Sequence, residues 1–144
     1  MAQKSAPHPI LSTRRLRLRQ FRSDDAEAMH RCFADPEAMR FWDHPLHTKR
    51  IETERAVRRF MVCTLFYYRF WAVADAKTDR RFGMVNYHDG HIRNKRVTIG
   101  YIIDPAFHRK GIATEAVSAM LNFASRTGLY PTRQHGVPRA LSSQ

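Results

Sequence analysis

Between Val97 and Arg126 the spacing of apolar residues changes from every second position to a helical repeat, with only a short loop containing Gly111 between the two patterns. Val97, Ile99, Tyr101 and Ile103 alternate with Thr98, Gly100 and Ile102, as on a strand. Both sets carry apolar groups, so both faces of the strand need cover, and a helix on each side is the expected form. Ala113, Ala116, Val117, Met120, Leu121 and Ala124 then recur with a helical period, which predicts a helix from Gly111 or Ile112 to Arg126, with Gly128 as its stop. Such a chain folds as a sheet with helices packed on it.

The loop from Asp104 to Ala116 reads Asp-Pro-Ala-Phe-His-Arg-Lys-Gly-Ile-Ala-Thr-Glu-Ala. Where a strand passes through a tight loop into a helix, backbone N–H groups with no intrahelical partner converge at the positive end of the helix dipole. That point suits a phosphate. Gly111 leaves the backbone bare, Ala113 keeps the next turn slim, Arg109 and Lys110 add positive charge, and Thr114 adds a hydroxyl donor. The plainer reading is a glycine that eases a loop into a helix beside two solvated cations, and spacing alone does not choose between the two.

Upstream, Leu16 to Phe21 alternates apolar and polar as a first strand, and Ser23-Asp24-Asp25 supplies an N-cap and two first-turn carboxylates. Ala26, Met29, His30 and Phe33 share one face of the helix that follows, which Asp35-Pro36 stops. A helical turn over Glu37 to Phe41 precedes a break at Asp43-His44-Pro45. A longer helix starting between Thr48 and Thr53 buries Val57, Phe60, Met61 and Thr64 and turns Arg55, Arg58 and Arg59 to water. Strands over Phe70 to Ala74, Phe82 to Tyr87 and Arg96 to Ile103 follow, joined by turns at Lys77-Thr78-Asp79 and Asp89-Gly90 short enough to demand antiparallel hairpins.

At 144 residues, 43% hydrophobic and 26% charged, one domain with one core is expected. The expected division is a flexible N-terminus over 1–10, the folded domain over 11–128, and a divergent, disordered tail over 129–144. Residues 1–10 hold no secretory apolar run, and the stretch near Met61 to Phe66 is too short to span a bilayer, so a cytoplasmic location with no membrane partner is expected. Cys32 and Cys63 read as core residues. The pairs His44/His47 and His88/His91 lack a third ligand, so no metal site is expected. The net charge is +12, with no acid before Asp24 or after Glu115. That balance suits nucleic acid, a ribosome or an anionic cofactor.

These residues resemble the GNAT N-acetyltransferase superfamily, and within it the branch of RimJ- and RimL-type ribosomal-protein N-terminal acetyltransferases. The family's pyrophosphate motif, Gln or Arg followed by two residues, Gly, any residue, then Gly or Ala, is matched by His108-Arg109-Lys110-Gly111-Ile112-Ala113, with His at the first position. The string Ile99-Gly100-Tyr101, Asp104-Pro105, Phe107 and Gly111-Ile112-Ala113-Thr114-Glu115-Ala116 is similar to that branch's passage from fourth strand to third helix. Leu11 to Arg19, Asp35 to Phe41, Trp71-Ala72-Val73 and Phe82-Gly83 are similar to its earlier elements, so the resemblance covers residues 11–128. It implies an α/β (α+β) fold with a mixed, mostly antiparallel sheet flanked by helices. It also implies acetyl-CoA as co-substrate, with its pyrophosphate on His108, Arg109, Lys110, Gly111, Ile112, Ala113 and Thr114 and its pantetheine arm along Tyr101, Ile102 and Ile103. The acceptor is then a primary amine, small or peptide-borne, such as a protein N-terminal α-amine; a ribosomal protein and a homodimer are the macromolecular partners it suggests. A backbone N–H of the fourth strand would hold the developing oxyanion.

The sequence also departs from the family pattern. Relatives continue through a further strand, a helix and two more strands, and residues 130–144 show none of that pattern, nor the tyrosine from that helix that often protonates the leaving thiolate. A truncated or frame-shifted product, a divergent tail, or completion by a second chain each account for this. Thr98 stands where many relatives carry a Glu base, leaving His88, with Asp89 beside it, as the replacement to weigh against a water relay or a solvated turn. Two rival functions stay open: an impaired GNAT module that binds acyl-CoA or a partner, and a basic ribosome- or RNA-associated protein.

Overall fold

The structure is a computed structural model and describes residues 8–40, 42, 45–62, 64, 65, 68–91 and 96–127. The opening segment forms two short strands, β1 (Leu11–Ser12) and β2 (Leu16–Arg19), paired as an antiparallel hairpin. A 3-10 turn over Ser23–Asp25 leads into α1 (Ala26–Phe33), and α2 spans Arg50–Val62. The strands β3 (Thr64–Leu65), β4 (Tyr68–Asp75), β5 (Arg81–His91) and β6 (Arg96–Ile103) follow, and α3 (Ile112–Arg126) closes the described chain. The sheet order is β1-β2-β4-β5-β6, with β3 also pairing β4, and every pairing among the described residues is antiparallel.

The two faces of the sheet carry separate cores, as the apolar pattern of β6 requires. On one, Leu16, Leu18, Trp71, Val85, Tyr87 and Ile103 pack with Ala116, Val117, Met120 and Ala124 of α3. On the other, Phe70, Ala72, Met84 and Ile102 pack with Met29 and Phe33 of α1 and Val57 and Phe60 of α2. Cys32 is buried in this second core, where burial pushes its thiol pKa up, so it behaves as a small apolar group. Cys63, the 129–144 tail, Gly128 and most of the flexible N-terminus expected over 1–10 lie outside the described residues.

Three local expectations are corrected. Thr64 does not continue the stripe of α2 but begins β3; the helix ends at Val62, where β-branched residues favour extended backbone. Asp89-Gly90 is not a turn, since β5 runs on to His91 and takes up one extra residue in an irregularity between His88 and His91. Ser23 is not the N-cap but the first residue of the 3-10 turn, whose cap position is Arg22, while Asp25 lies in that first turn as expected and is buried. Its side chain is 0% exposed and accepts hydrogen bonds from both terminal nitrogens of Arg19 (3.0 and 2.9 Å), the Arg22 N–H (2.8 Å) and Arg81 Nε (2.7 Å). Arg19 also reaches Asp79 at 3.0 Å, so one buried charge cluster joins β2, the 3-10 turn, the β4–β5 turn and β5.

Burial pushes the Asp25 carboxyl pKa up, but the hydrogen bonds from Arg19, the Arg22 N–H and Arg81 outweigh it and hold it below its ordinary value of 3.8. A depressed folded pKa gives stability that is complete above the unfolded value and is lost as pH falls toward the folded one. Asp25→Asn leaves Arg19 buried beside a neutral amide and is expected to cost about 3–5 kcal/mol in urea unfolding at pH 7. The variant should also show a shallower loss of stability on acidification below the unfolded carboxylate pKa.

Candidate functional site

The site is built around the turn from β6 into α3. Asp104 opens it: its carboxylate accepts from the Ala106 N–H at 3.0 Å, capping a 3-10 turn over Pro105–Phe107, and from Arg31 Nε of α1 at 3.1 Å. His108 Nε2–H donates to the Ile103 carbonyl at 2.7 Å, folding the imidazole back on the end of the strand. Arg109 (φ 64) and Gly111 (φ 76) both adopt left-handed backbone, which turns the chain sharply enough for α3 to start at Ile112. The Glu115 N–H bonds the Gly111 carbonyl at 3.0 Å, so the N–H groups of Ile112, Ala113 and Thr114 precede the first α-helical bond at the positive end of the helix.

A second tether comes from the other end of the chain. The Glu115 carboxylate accepts from Thr13 Oγ1, from the Arg15 N–H at 3.1 Å and from Arg15 Nε at 2.7 Å. Burial pushes its pKa up, yet the bonds from Thr13 and Arg15 outweigh that and hold it below the ordinary value of 4.5. Arg15 is thereby fixed beside the loop, and a Cβ placed on Gly111 would meet its guanidinium at 3.4 Å.

From this loop a cavity of about 650 Å³ runs along the free edge of β6, the edge that pairs with no strand among the described residues. His108 and Arg109 line one end, Ile99 to Ile103 the length, and Asn86, His88, Trp42, Glu37 and Arg40 the remainder. Trp42 Nε1–H donates to the Tyr101 carbonyl at 3.1 Å, and His108 to that of Ile103, while the Asp104 N–H bonds back to Phe82 on β5. Odd-numbered backbone groups of β6 therefore face the cavity and even-numbered ones pair with β5. An adjoining cavity of about 450 Å³, between α1, α2 and the sheet, shares Trp42, Asn86 and His88 with the first.

The residues expected at the site divide into groups. Arg109 is exposed and lines the long cavity, as does the partly buried Tyr101, whose pKa burial raises. Lys110 is not with them: it lines a separate hollow of about 380 Å³ with Arg15, Arg80 and Phe107. Ile102, Ile103, Ile112 and Ala113 have buried side chains, so what Ile103, Ile112 and Ala113 offer the loop and edge is backbone, while the backbone of Ile102 pairs with β5. Thr114 is half-buried in the first turn of α3. His88 lies within β5 rather than on a turn, its ring 5.7 Å from that of Tyr68. Two residues were missed. Arg15 carries no local signal, since its contacts are a hundred residues away at Glu115; Asn86 is visible only as a polar break in the apolar run of β5. Among the described residues no group of acids, histidines and cysteines forms a metal-binding cluster, and no helix is long and apolar enough to cross a membrane.

Residues 15–142 match the family model for an acetyltransferase (GNAT) domain. The chain belongs to the GNAT acetyltransferase family. The uncharacterized N-acetyltransferase YoaA of Bacillus subtilis (strain 168) is 30% identical over 120 residues, which are 80% of this chain and 66% of that protein. An acetyltransferase (GNAT family) from Bacillus anthracis superposes with a TM-score of 0.72 at 22% identity, over 83% of this chain and 68% of the other. RimL, a ribosomal L7/L12 alpha-N-protein acetyltransferase solved in complex with coenzyme A, superposes with a TM-score of 0.69 at 20% identity, over 85% and 71%. These structures share the GNAT fold of a central sheet with helices on both faces.

Because the Glu115 tether positions this GNAT loop, Glu115→Gln is expected to speed amide exchange at residues 13–16 and at 115–117, the first bonded turn of α3, by roughly tenfold through local opening. Its effect on global stability should stay below about 1 kcal/mol, since Arg15 is 41% exposed and solvent screens the pair. Unchanged exchange at both segments would contradict the tether.

Proposed function

We propose that this chain transfers the acetyl group of acetyl-CoA to a primary amine, with a protein N-terminal α-amine as the favoured acceptor class. The observation that carries this reading is one cavity leading from His108 and the left-handed Arg109, in the loop just before α3, along the edge of β6 that no described strand pairs, to His88. The loop fits a pyrophosphate: Gly111 is left-handed, the first N–H groups of α3 have no partner inside the helix, and Arg109, in the same loop, lines the cavity. The N–H groups of residues 112–114, with Arg109, would hold the phosphates, and the outward backbone groups of Tyr101 and Ile103 the pantetheine amides.

When bound, acetyl-CoA supplies an activated acyl carbon, so that a C–N bond to the amine forms as the C–S bond breaks. The Tyr101 N–H, on the free edge of β6, would donate to the carbonyl oxygen that gains charge in that step, with the thiolate of coenzyme A leaving and taking a proton from solvent. Asp104, Arg31 and the His108 ring keep this edge in register with the loop. His88 borders both cavities and takes the proton of the amine, directly or through water. An α-amine, with a pKa near 8, yields that proton more readily than a lysine near 10.4. The RimL neighbour, named for acetylating an α-amine, supports the same class.

Calorimetric titration with acetyl-CoA, followed by a thiol-release assay on a peptide with a free N-terminus, tests the reading; a wild-type chain that binds no acetyl-CoA refutes it. Gly111→Glu places bulk and negative charge in the cradle and is expected to weaken coenzyme binding by roughly a hundredfold, about 2.8 kcal/mol. His88→Gln should leave that affinity intact and lower kcat by roughly 10²–10⁴-fold; an unchanged kcat excludes His88 as the base.

A further inference from the structure

Asn86 lies on β5 opposite Gly100 of β6, facing the α1–α2 side of the sheet between Met84 and His88. Asn86 is only 4% exposed, and its Oδ1 has no hydrogen-bond partner among the described residues. A buried polar atom left unpaired weakens the fold and calls for an explanation in what binds there. The atom sits where both cavities meet, since Asn86 lines each of them. Gly100 makes room for it: a Cβ at that position would come within 2.5 Å of Oδ1.

The surroundings limit what can meet this oxygen. The smaller cavity is walled by Phe33, Trp42, Phe60, Tyr68 and Phe70, with the Phe60 and Phe70 rings stacked at 4.3 Å. Among the described residues lining it no carboxylate occurs; Arg59 is the formal charge there, accompanied by His47 and His88. Among the described residues of this smaller cavity, an acceptor with several ammonium groups would find no carboxylate to pair with and would meet the like charge of Arg59; Glu37 lines only the larger cavity. An acceptor with one amine on an apolar body buries that body against the rings and needs a single hydrogen-bond acceptor for its nitrogen.

We propose that Asn86 Oδ1 receives an N–H of the acceptor amine, and that the acceptor is a monoamine with an aromatic or aliphatic body, such as an N-terminal residue with an apolar side chain. This rests on the acetyl-transfer reading of the same cleft. The hydrogen bond holds the nitrogen at the junction of the cavities, next to His88 and the free edge of β6. Asn86 is thus a specificity-determining residue for the acceptor and leaves the coenzyme loop untouched.

The test uses the full chain, titrated first with coenzyme A and then, saturated with it, with 2-phenylethylamine or spermidine. Wild type is expected to bind 2-phenylethylamine more tightly than spermidine by roughly tenfold or more. Asn86→Leu, close in volume, should weaken 2-phenylethylamine by roughly tenfold while coenzyme affinity stays unchanged and the thermal midpoint is kept or raised. Asn86→Asp keeps an acceptor oxygen and should retain the amine. Spermidine binding as tightly as 2-phenylethylamine, an unaffected Asn86→Leu, a lowered midpoint in that variant, or loss of the amine in Asn86→Asp would each overturn the inference. Failure of wild type to bind coenzyme A would instead refute the acetyl-transfer reading beneath it.

Discussion

The placement of the first turn of α3 against the sheet governs the rest of the site. Its apolar stripe fixes the helix laterally, through Ala116, Val117 and Met120 on the α3-side core. The Glu115 carboxylate fixes it along its axis, by accepting from Thr13 and Arg15 at the β1–β2 turn. Because the N–H groups that precede the first helical bond have no partner inside the helix, where that turn sits decides where an anion is held. The left-handed residues Arg109 and Gly111 then follow as the way to connect a strand end to a helix start held so close to it.

The second constraint is the position of β6. Buried at its end, where Ile102 and Ile103 enter the two cores, and paired with β5 along one edge, it leaves its odd-numbered backbone groups on the other edge. The side chains of Ile102 and Ile103 serve the two cores while the backbone beside them lines a cavity. Rigid support and a polar edge thus come from the same residues. The end of the sheet where β4 turns into β5 is held by the cluster of Arg19, Asp25, Asp79 and Arg81, whose buried carboxylate is fully supplied with donors.

Much of this was legible in the sequence because the signals were local. The period of two in β6 matched its span from Arg96 to Ile103, and every apolar residue assigned to the stripe of α3 is buried. The hairpin order of β4, β5 and β6 followed from connection length. Pairing register was not legible, so Asp89-Gly90 read as a turn although β5 passes through it. Arg15 and Asn86 escaped because their roles rest on contacts across the fold: Arg15 with Glu115, and Asn86 with the bare position of Gly100. The adjacent cations Arg109 and Lys110 read as a pair, yet the left-handed turn at Arg109 sends them to different hollows.

The central claim is that the loop and the free edge of β6 form one continuous coenzyme site. Residue-resolved amide exchange with and without acetyl-CoA measures it directly. Protection is predicted at residues 112–114 and at the odd positions Ile99, Tyr101 and Ile103, with the even positions already paired to β5 and unchanged. Binding of acetyl-CoA with no added protection at either the loop or the odd positions of β6 would contradict the account.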